Sequence, residues 1–212
     1  MLLLFAALPL DAQLDVRTFP LDSTEGLKPL NVKIEAVKYL DRTAVHVAAA
    51  NDIGAMVIVP CTFRNGTIEM EVAGKPAARA GQFARGFIGL AFHLAADARR
   101  YECFYLRPTN GRADDQLRRN HSVQYESEPD YPWNRLRDES PGQYESYVDL
   151  EPGVWTKIRI VVAGRKAQLY VHGSAQPCLI VSDLKLGESD GPLALWVGPG
   201  TDGYFSNVRV TR

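Results

Sequence analysis

Two glutamates on one predicted strand are the carboxylates whose spacing comes closest to an acid–base pair. Glu69 and Glu71 alternate with Ile68, Met70 and Val72, so both carboxylates point to the same face of the strand. Cβ atoms two residues apart lie roughly 7 Å from each other. A retaining glycosidase holds its two carboxyl groups about 5–5.5 Å apart across the scissile bond. We favour a solvated strand face with two glutamates over a catalytic pair.

The segment 107–147 is the second place where the residue types indicate chemistry. It contains six arginines, eight acidic residues, four tyrosines and Trp133. Connections this long are uncommon in compact domains, and those that persist are usually binding loops, lids or disordered linkers. Disordered segments contain few aromatic residues. We therefore predict one long, ordered, polar-aromatic insertion loop that binds a ligand.

Carbohydrate recognition needs flat aromatic faces for the apolar side of a sugar ring and planar polar groups for its hydroxyls. The insertion supplies stacking candidates in Trp133, Tyr125 and Tyr131, and Glu126 is an acid available for general acid–base work. The hydrogen-bonding candidates are Arg107, Asn110, Arg118, Asn120, His121, Gln124 and Arg137. Because arginine also binds carboxylates and phosphates, an acidic sugar such as a uronate fits this composition. The alternative is that the loop packs on itself through pairs between its own arginines and acids.

Metal binding is not indicated by the sequence. His121 is the only histidine of the insertion, and no second histidine stands at ligand spacing from it. Asp114, Asp115 and Asp130 are oxygen donors for calcium by type, but they lack the spacing of an EF-hand loop. We favour surface ion pairs for these aspartates and predict no cofactor.

Three widely spaced cysteines, Cys61, Cys103 and Cys178, form no C-x-x-C pair. Zinc and thioredoxin-type motifs are therefore unsupported. We expect all three to be small buried side chains in strands. The alternative is that two of them form a disulfide in an exported protein.

Charge and the N-terminal segment restrict the partners and the location. The 212-residue chain has a formal net charge of −1, with basic and acidic residues mixed throughout. Such a distribution disfavours nucleic-acid binding. Residues 1–12 form an apolar run of signal-peptide length that is too short to span a bilayer. We predict a secreted or periplasmic protein; an apolar first strand is the alternative, against which Pro9 argues.

Short alternating segments with turns every 8–12 residues predict an all-β, antiparallel, two-sheet sandwich. Asn65-Gly66 and Ala163-Gly164-Arg165 predict tight reversals between strands. We predict a single domain over residues 20–212. Its strands are expected at 31–39, 43–50, 54–60, 67–74, 86–94, 101–107, 144–150, 155–162, 166–172, 177–186, 192–198 and 204–210.

Four motifs follow one another along the chain: FRNGTIEMEV, GFIGLAFHL with YECFYLRP, GVWTKIRIVVAGRKAQLYVHG and GPLALWVGPGTDGYFSNVRV. Their order over residues 30–212 resembles the concanavalin A-like lectin/glucanase superfamily, close to laminin G-like and 3-keto-disaccharide hydrolase-like domains. The resemblance implies a jelly roll with a concave face that often binds sugars, and it does not by itself imply catalysis. Laminarinase-like members carry catalytic acids as E-x-D-x-x-E or E-x-D-x-E. Their third acid would fall at Gly74 or Ala73, so that motif is incomplete.

These features together predict an exported module that binds carbohydrate or glycoconjugate through the insertion and the adjoining concave face. Two alternatives stay open: a sugar-processing, glycosidase-type enzyme similar to 3-keto-disaccharide hydrolases, and a laminin G-like protein-interaction module. A concave groove lined by Trp133 and an exposed carboxylate pair would favour the enzyme. A flat insertion with buried aromatic residues would favour the interaction module. The sequence indicates no oligomeric state.

Overall fold

Alternating apolar residues direct most of this chain into paired strands. A computed structural model describes residues 14–30, 32–50 and 54–212. The segment 1–12, for which a signal peptide is predicted, lies outside the described residues. Two antiparallel sheets pack face to face as a jelly-roll sandwich, which confirms the predicted fold class.

Short strands follow one another along nearly the whole described chain. The strands are β1 (Val16–Phe19), β2 (Lys28–Leu30), β3 (Ile34–Tyr39), β4 (Arg42–Ala48), β5 (Ala55–Phe63), β6 (Gly66–Pro76), β7 (Ile88–Phe92), β8 (Tyr101–Leu106), β9 (Val123–Glu128), β10 (Glu145–Ser146), β11 (Thr156–Ala163), β12 (Lys166–Val171), β13 (Leu179–Val181), β14 (Gly191–Val197) and β15 (Thr201–Thr211). A 3-10 helix (Pro108–Asn110) and the helices α1 (Gln116–Asn120) and α2 (Trp133–Glu139) lie between β8 and β10. Among the described residues, no helix is long and apolar enough to cross a membrane.

One sheet has eight strands and the other has seven. The eight-stranded sheet has the order β13-β12-β11-β6-β15-β4-β3, and β1 pairs with the end of β15. The seven-stranded sheet has the order β10-β9-β8-β7-β14-β5-β2. The core lies between them, with Ile68, Met70 and Val72 of β6 facing it from one sheet and Leu90 from the other. Each such buried side chain stabilises the fold by about 1.5–3 kcal/mol.

The two predicted reversals have different roles. Ala163-Gly164-Arg165 joins β11 and β12 as a hairpin, with Gly164 at a φ of +59°. Asn65-Gly66 instead carries the chain from β5 in the seven-stranded sheet to β6 in the eight-stranded sheet. A Cβ atom at Gly66 would lie 2.1 Å from the carbonyl oxygen of Thr211, so this crossing requires glycine.

The segment 107–147 is more regular than the predicted loop. It contains β9, β10 and three short helices, and β9 pairs with β8 over its whole length. Strand β9 was not predicted, although Val123 and Tyr125 alternate there with polar residues. The predicted strand at 144–150 is too long, because only its residues Glu145–Ser146 pair with β9.

A buried polar cluster ties β9 to the rest of the fold. The Glu102 carboxylate, on the inner side of β8, accepts hydrogen bonds from the Tyr125 hydroxyl and from the backbone N–H of Leu186, the latter at 2.7 Å. The Tyr125 hydroxyl in turn accepts from the backbone N–H of Lys185 at 3.0 Å. Burial raises the pKa of Glu102, whereas Tyr125 favours its ionised form. The cluster thereby satisfies polar groups that would be costly to bury alone.

Candidate functional site

A row of residues on the outer face of the seven-stranded sheet places a glycine between two large aromatic rings. Trp196 of β14 faces Gly89 of β7, which in turn faces Tyr105 of β8. Because Gly89 has no side chain, the two rings meet across it with their centroids 4.7 Å apart. A Cβ atom at Gly89 would lie 2.6 Å from the Cα atom of Tyr105, so the position requires glycine.

Short side chains form the next row of this face. Ala194, Ala91 and Cys103 follow one another across β14, β7 and β8, and all three are fully buried. They pack with Tyr101 and Trp196 in a second apolar cluster, separate from the core between the sheets. The outer face of this sheet is therefore apolar, with the aromatic residues above a floor of short side chains.

Helix α2 lies at the β9 edge of the same sheet. Leu136 points inward and is buried in the core, while Trp133 and Arg137, four residues apart, share another side of the helix. The guanidinium groups of Arg137 and Arg107 lie 4.8 and 5.6 Å from the Trp133 ring centroid. Despite these contacts, 43% of Trp133 is exposed. Its ring is therefore held in place and remains accessible to a ligand.

Glu145 of β10 anchors α2 to the sheet. Its carboxylate oxygen Oε2 accepts hydrogen bonds from Nη2 and Nε of Arg137 at 2.7 and 3.1 Å. The same oxygen lies 2.6 Å from Nδ1 of His121. Burial lowers the pKa of His121, and the Glu145 charge opposes this shift. Because Glu145 is itself buried, removing Arg137 would leave a poorly compensated charge inside the protein.

A first cavity, of about 510 Å³, opens over this outer face. Its size falls within the range of about 300–1,000 Å³ that is typical of ligand sites. Two carboxylates, Glu126 and Glu128, lie at its β9 side, and no cation lines it among the described residues. Its walls come mainly from Met56, Phe83, Phe87, Tyr101, Trp133 and Trp196.

Glu126 is the most perturbed acid of this cavity. Only 4% of it is exposed, and burial, followed by the charge of Glu128, raises the pKa of Glu126 to about 7. Arg107, the Tyr105 hydroxyl and the backbone N–H of Trp133 favour the ionised form. Burial also raises the pKa of Glu128, which is more exposed. Glu126 therefore titrates near neutral pH, as general acids and bases do.

A second cavity, of about 340 Å³, adjoins the first and shares Phe83, Phe87 and Trp133 with it. Its polar lining consists of Arg85, Arg107, Arg137, Asn110 and His121. Five predicted ligand-binding residues therefore come together here: Trp133, Arg107, Arg137, Asn110 and His121. The first cavity is acidic and the second is basic, with Trp133 between them.

The structure corrects two of the predicted ligand-binding residues. Tyr125 points into the core and is fully buried, so its ring is not available for stacking on a sugar. Gln124 is also buried, and its amide nitrogen donates to the backbone carbonyls of Tyr125 and Tyr144. Both residues lie in β9, whose pairing in the sheet replaces the loop that was predicted.

The three remaining predicted residues, Arg118, Asn120 and Tyr131, serve mainly to order the segment. The Asn110 amide nitrogen donates to the carbonyl of His121, and its side-chain oxygen accepts from Nε of Arg118 at 3.0 Å. Tyr131 packs against the core, and its ring centroid lies 4.5 Å from the guanidinium of Arg135. Asn120 ends α1 and lines a separate hollow with His121 and Arg137. Self-packing, the alternative for this segment, thus accounts for part of its composition.

The glutamates of β6 lie on the opposite side of the molecule from the first cavity. Glu69 pairs with Lys157 at 3.3 Å and with Arg209 at 3.4 Å. Glu71 forms an ion pair with Arg42 and accepts from the Asn207 amide at 2.8 Å. Both belong to the solvated face of the eight-stranded sheet, as the pattern on β6 favours.

Several lining residues were not predicted from the sequence. Arg85 and Phe83 lie in the connection between β6 and β7, where Phe83 is the only aromatic residue between Gly81 and Gly86. An isolated phenylalanine in a non-strand segment was the available signal. Tyr101 and Trp196 belong to strands, and their outward direction depends on register. No signal in the sequence distinguishes them from core residues.

Among the described residues, the candidate metal ligands form no common group and the three cysteines do not pair. In the part of the chain that the structure describes, no three His, Cys, Asp or Glu side chains form a group able to hold a metal ion. Asp115 caps α1 by accepting from the backbone N–H of Arg118 at 2.6 Å. The three cysteines are free, with Cys61 and Cys103 buried and Cys178 partly exposed.

Known proteins resemble this chain in structure and not in sequence. No family model matches the chain, and no curated protein matches it. A carbohydrate-binding module, CBM66 from Bacillus subtilis, is 13% identical with a TM-score of 0.62, covering 87% of this chain and 95% of the module. The fold is concanavalin A-like.

Two further structures share this concanavalin A-like fold. A Bacillus subtilis protein of unknown function with a galectin-like fold is 12% identical, with a TM-score of 0.60, and the match covers 92% of this chain and 94% of that one. The Crh5 transglycosylase in complex with NAG is 11% identical, with a TM-score of 0.54, and the match covers 92% and 83%. Identities this low establish the fold alone, so the ligand has to be argued from the cavities.

Replacing Glu126 by glutamine should change how stability depends on pH. The folded protein holds the Glu126 proton up to about pH 7, whereas the unfolded chain releases it near the ordinary value of 4.5. The stabilisation from this bound proton is therefore present at low pH and is lost as the pH rises from about 4.5 through 7. Glu126→Gln lacks this loss, so the variant should gain roughly 2–3 kcal/mol over the wild type between pH 4.5 and pH 8.

Urea unfolding of both proteins at pH 4.5, 6 and 8 measures this difference. The exposed Glu25→Gln is the matched control for the change in net charge. A free-energy difference between wild type and Glu126→Gln that is the same at every pH would show that folding does not perturb this carboxyl group.

Proposed function

We propose that this chain binds carbohydrate in the first cavity, on the outer face of the seven-stranded sheet. The observation that carries the proposal is Trp133, an exposed indole at the wall of a cavity that Glu126 and Glu128 also line. A sugar ring has an apolar face that packs on an aromatic ring and hydroxyls that donate to carboxylates. Phe83 and Trp196 supply further apolar surface opposite these acids.

Preorganisation of the cavity supports this function. Arg107 and Arg137 hold Trp133 from the side of the second cavity, and Glu145 holds Arg137. Side chains that are already ordered lose little conformational entropy when a ligand binds. The carbohydrate-binding module from Bacillus subtilis and the transglycosylase in complex with NAG have the same fold, which is consistent with a sugar as the ligand.

A laminin G-like protein-interaction module is less well supported. That alternative predicts a flat insertion with its aromatic residues buried. Tyr125 is buried, but Trp133 is exposed and borders a cavity rather than a flat surface. Protein interfaces of the usual kind bury about 800 Å² on each partner. The concentration of exposed aromatic surface around a cavity favours a small or linear ligand.

Replacing Trp133 by alanine should weaken glycan binding at least about tenfold, roughly 1.4 kcal/mol or more, because the stacking surface is lost. A glycan array with the wild type identifies ligands, and calorimetry with the best ligand measures the two affinities. Tyr170→Ala is the matched control, since Tyr170 is an aromatic residue on the outer face of the opposite sheet. Absence of wild-type binding to every glycan would overturn the proposed function, and undiminished binding by Trp133→Ala would remove this residue from the site.

A specific observation also favours a second function, glycoside hydrolysis. Glu126 and Glu128 lie two residues apart on one face of β9, both line the first cavity, and burial raises the pKa of Glu126 to about 7. An inverting glycosidase uses one carboxylic acid of raised pKa as general acid and a second carboxylate as general base. Glu126 would protonate the glycosidic oxygen as that bond breaks. Glu128 would take the proton from the water that attacks the anomeric carbon.

If the protein is such an enzyme, Glu126→Gln and Glu128→Gln should each lower the rate of hydrolysis by about 10²–10⁴ while retaining glycan binding. The measurement is the release of reducing ends from the best-binding oligosaccharide. Glu139→Gln, an exposed glutamate of α2, is the control. Recovery of the bound oligosaccharide intact from the wild type would overturn hydrolysis and leave the binding function in place.

Export of the protein belongs to the same proposal and rests on the apolar segment 1–12. Expression of the full chain with fractionation and N-terminal sequencing should give a shortened protein outside the cytoplasm, with cleavage after about residue 12. Recovery of the full-length chain in the cytoplasmic fraction alone would contradict export.

A further inference from the structure

We infer that the second cavity binds an anionic group of the saccharide, so that the natural ligand is an acidic sugar carrying a carboxylate or a sulfate. This inference rests on the proposed function and adds the chemical class of the ligand. The residues that carry it are Arg85, Arg107 and Arg137, which line one cavity without any acid among its described lining residues.

Three of the six arginines of the segment 107–147 already have acidic partners. Arg112 pairs with Asp149 at 2.9 Å, Arg135 pairs with Glu139 at 2.7 Å, and Arg137 pairs with Glu145 at 2.7 Å. Arg85 and Arg107, by contrast, form no ion pair with any described carboxylate. The cavity therefore contains two guanidinium groups whose charge is not matched by an adjacent acid.

Of the two arginines, Arg107 gives the stronger argument for an anion site, because it is almost completely buried. Only 5% of it is exposed, and its guanidinium donates to the Tyr105 hydroxyl at 3.0 Å and to the carbonyl of His121 at 3.3 Å. Both acceptors are neutral groups. Arg107 also interacts electrostatically with the Glu126 carboxylate, without forming an ion pair with it. A buried charge usually has a counter-ion, and an anion in the cavity would supply one.

Arg85 faces the same cavity from the connection between β6 and β7. Its Nη1 donates to the carbonyls of Gln82 and Ala84 at 2.7 and 3.1 Å, which orients the guanidinium. Burial lowers the pKa of Arg85, and the charges of Arg118 and Arg107 lower it further. The potential at this point is therefore positive, and a bound carboxylate or sulfate would be stabilised by it.

The opposite charges of the two cavities favour one orientation of the bound ligand. Glu126 and Glu128 repel anions from the first cavity, while the arginines attract them to the second. Trp133 and Phe83 border both cavities, so a sugar stacked there reaches the two sides at once. Neutral hydroxyls then face the glutamates and the anionic substituent faces Arg85 and Arg107.

The test uses matched pairs of ligands that differ only in the charge. Calorimetry compares gluco-, galacto- and mannuronate oligosaccharides with their methyl esters, and an O-sulfated oligosaccharide with its desulfated parent. For the natural stereochemistry, the charged form should bind at least about tenfold more tightly than the neutral one, because an arginine–anion hydrogen bond is lost in the latter. The two arms distinguish a carboxylate from a sulfate.

Arg85→Gln should weaken this preference while leaving the affinity for the neutral partner nearly unchanged, and Arg85→Lys should restore part of it. Arg112→Gln is the matched control, since Arg112 is an exposed arginine that pairs with Asp149 and Glu151 outside both cavities. Thermal unfolding of each variant separates a loss of fold from a loss of the anion site.

The outcomes distinguish this inference from the proposed function. Equal binding of charged and neutral partners, or a preference that Arg85→Gln and Arg112→Gln retain alike, overturns the anion site and leaves carbohydrate binding in place. Binding of neutral glycans and of no charged glycan also overturns the anion site and leaves carbohydrate binding in place. Failure of the wild type to bind any glycan overturns the proposed function, and the inference falls with it.

Discussion

Burial of both faces of the seven-stranded sheet is the constraint on which the rest of the structure depends. The inner face packs on the other sheet, as in any sandwich. The outer face is apolar too, because Ala91, Ala194 and Cys103 lie beneath Tyr101 and Trp196. Phe87 and Ala98 pack against this cluster, and Trp133, at the start of α2, lines the first cavity at its β9 side. That cavity opens over the rest of the face.

Helix α2 is held by charge as well as by apolar packing. Glu145 fixes Arg137 and contacts His121, and Arg137 in turn lies beside the Trp133 ring. This ion pair is partly buried, so its main effect is to specify one arrangement of α2 rather than to add much net stability. The same network brings cations to one side of Trp133, while β9 brings Glu126 to the other. Recognition and packing therefore use the same residues.

The features that the sequence predicted correctly are those whose signal lies within a few neighbouring residues. Alternation within six to ten residues predicted most strands of both sheets, and it placed Glu69 and Glu71 on a solvated face. The same rule applied to VQYESE (123–128) would have given β9, but its polar surroundings led to the prediction of a loop. That error made Tyr125 a ligand-binding candidate although it belongs to the core. Arg85 was missed because it is distant in sequence from the segment that it joins in space.

The sequence by itself determined the class of fold, because period-2 alternation and turn residues are properties of neighbouring positions. It also determined that the segment 107–147 contains aromatic and charged residues suited to binding. Only the tertiary structure decided which of them face a ligand. Trp196 and Tyr105 meet across Gly89, and the pKa of Glu126 is raised only through its burial beside Glu128. Burial and electrostatic potential depend on contacts between residues far apart in the chain, and no local pattern contains them.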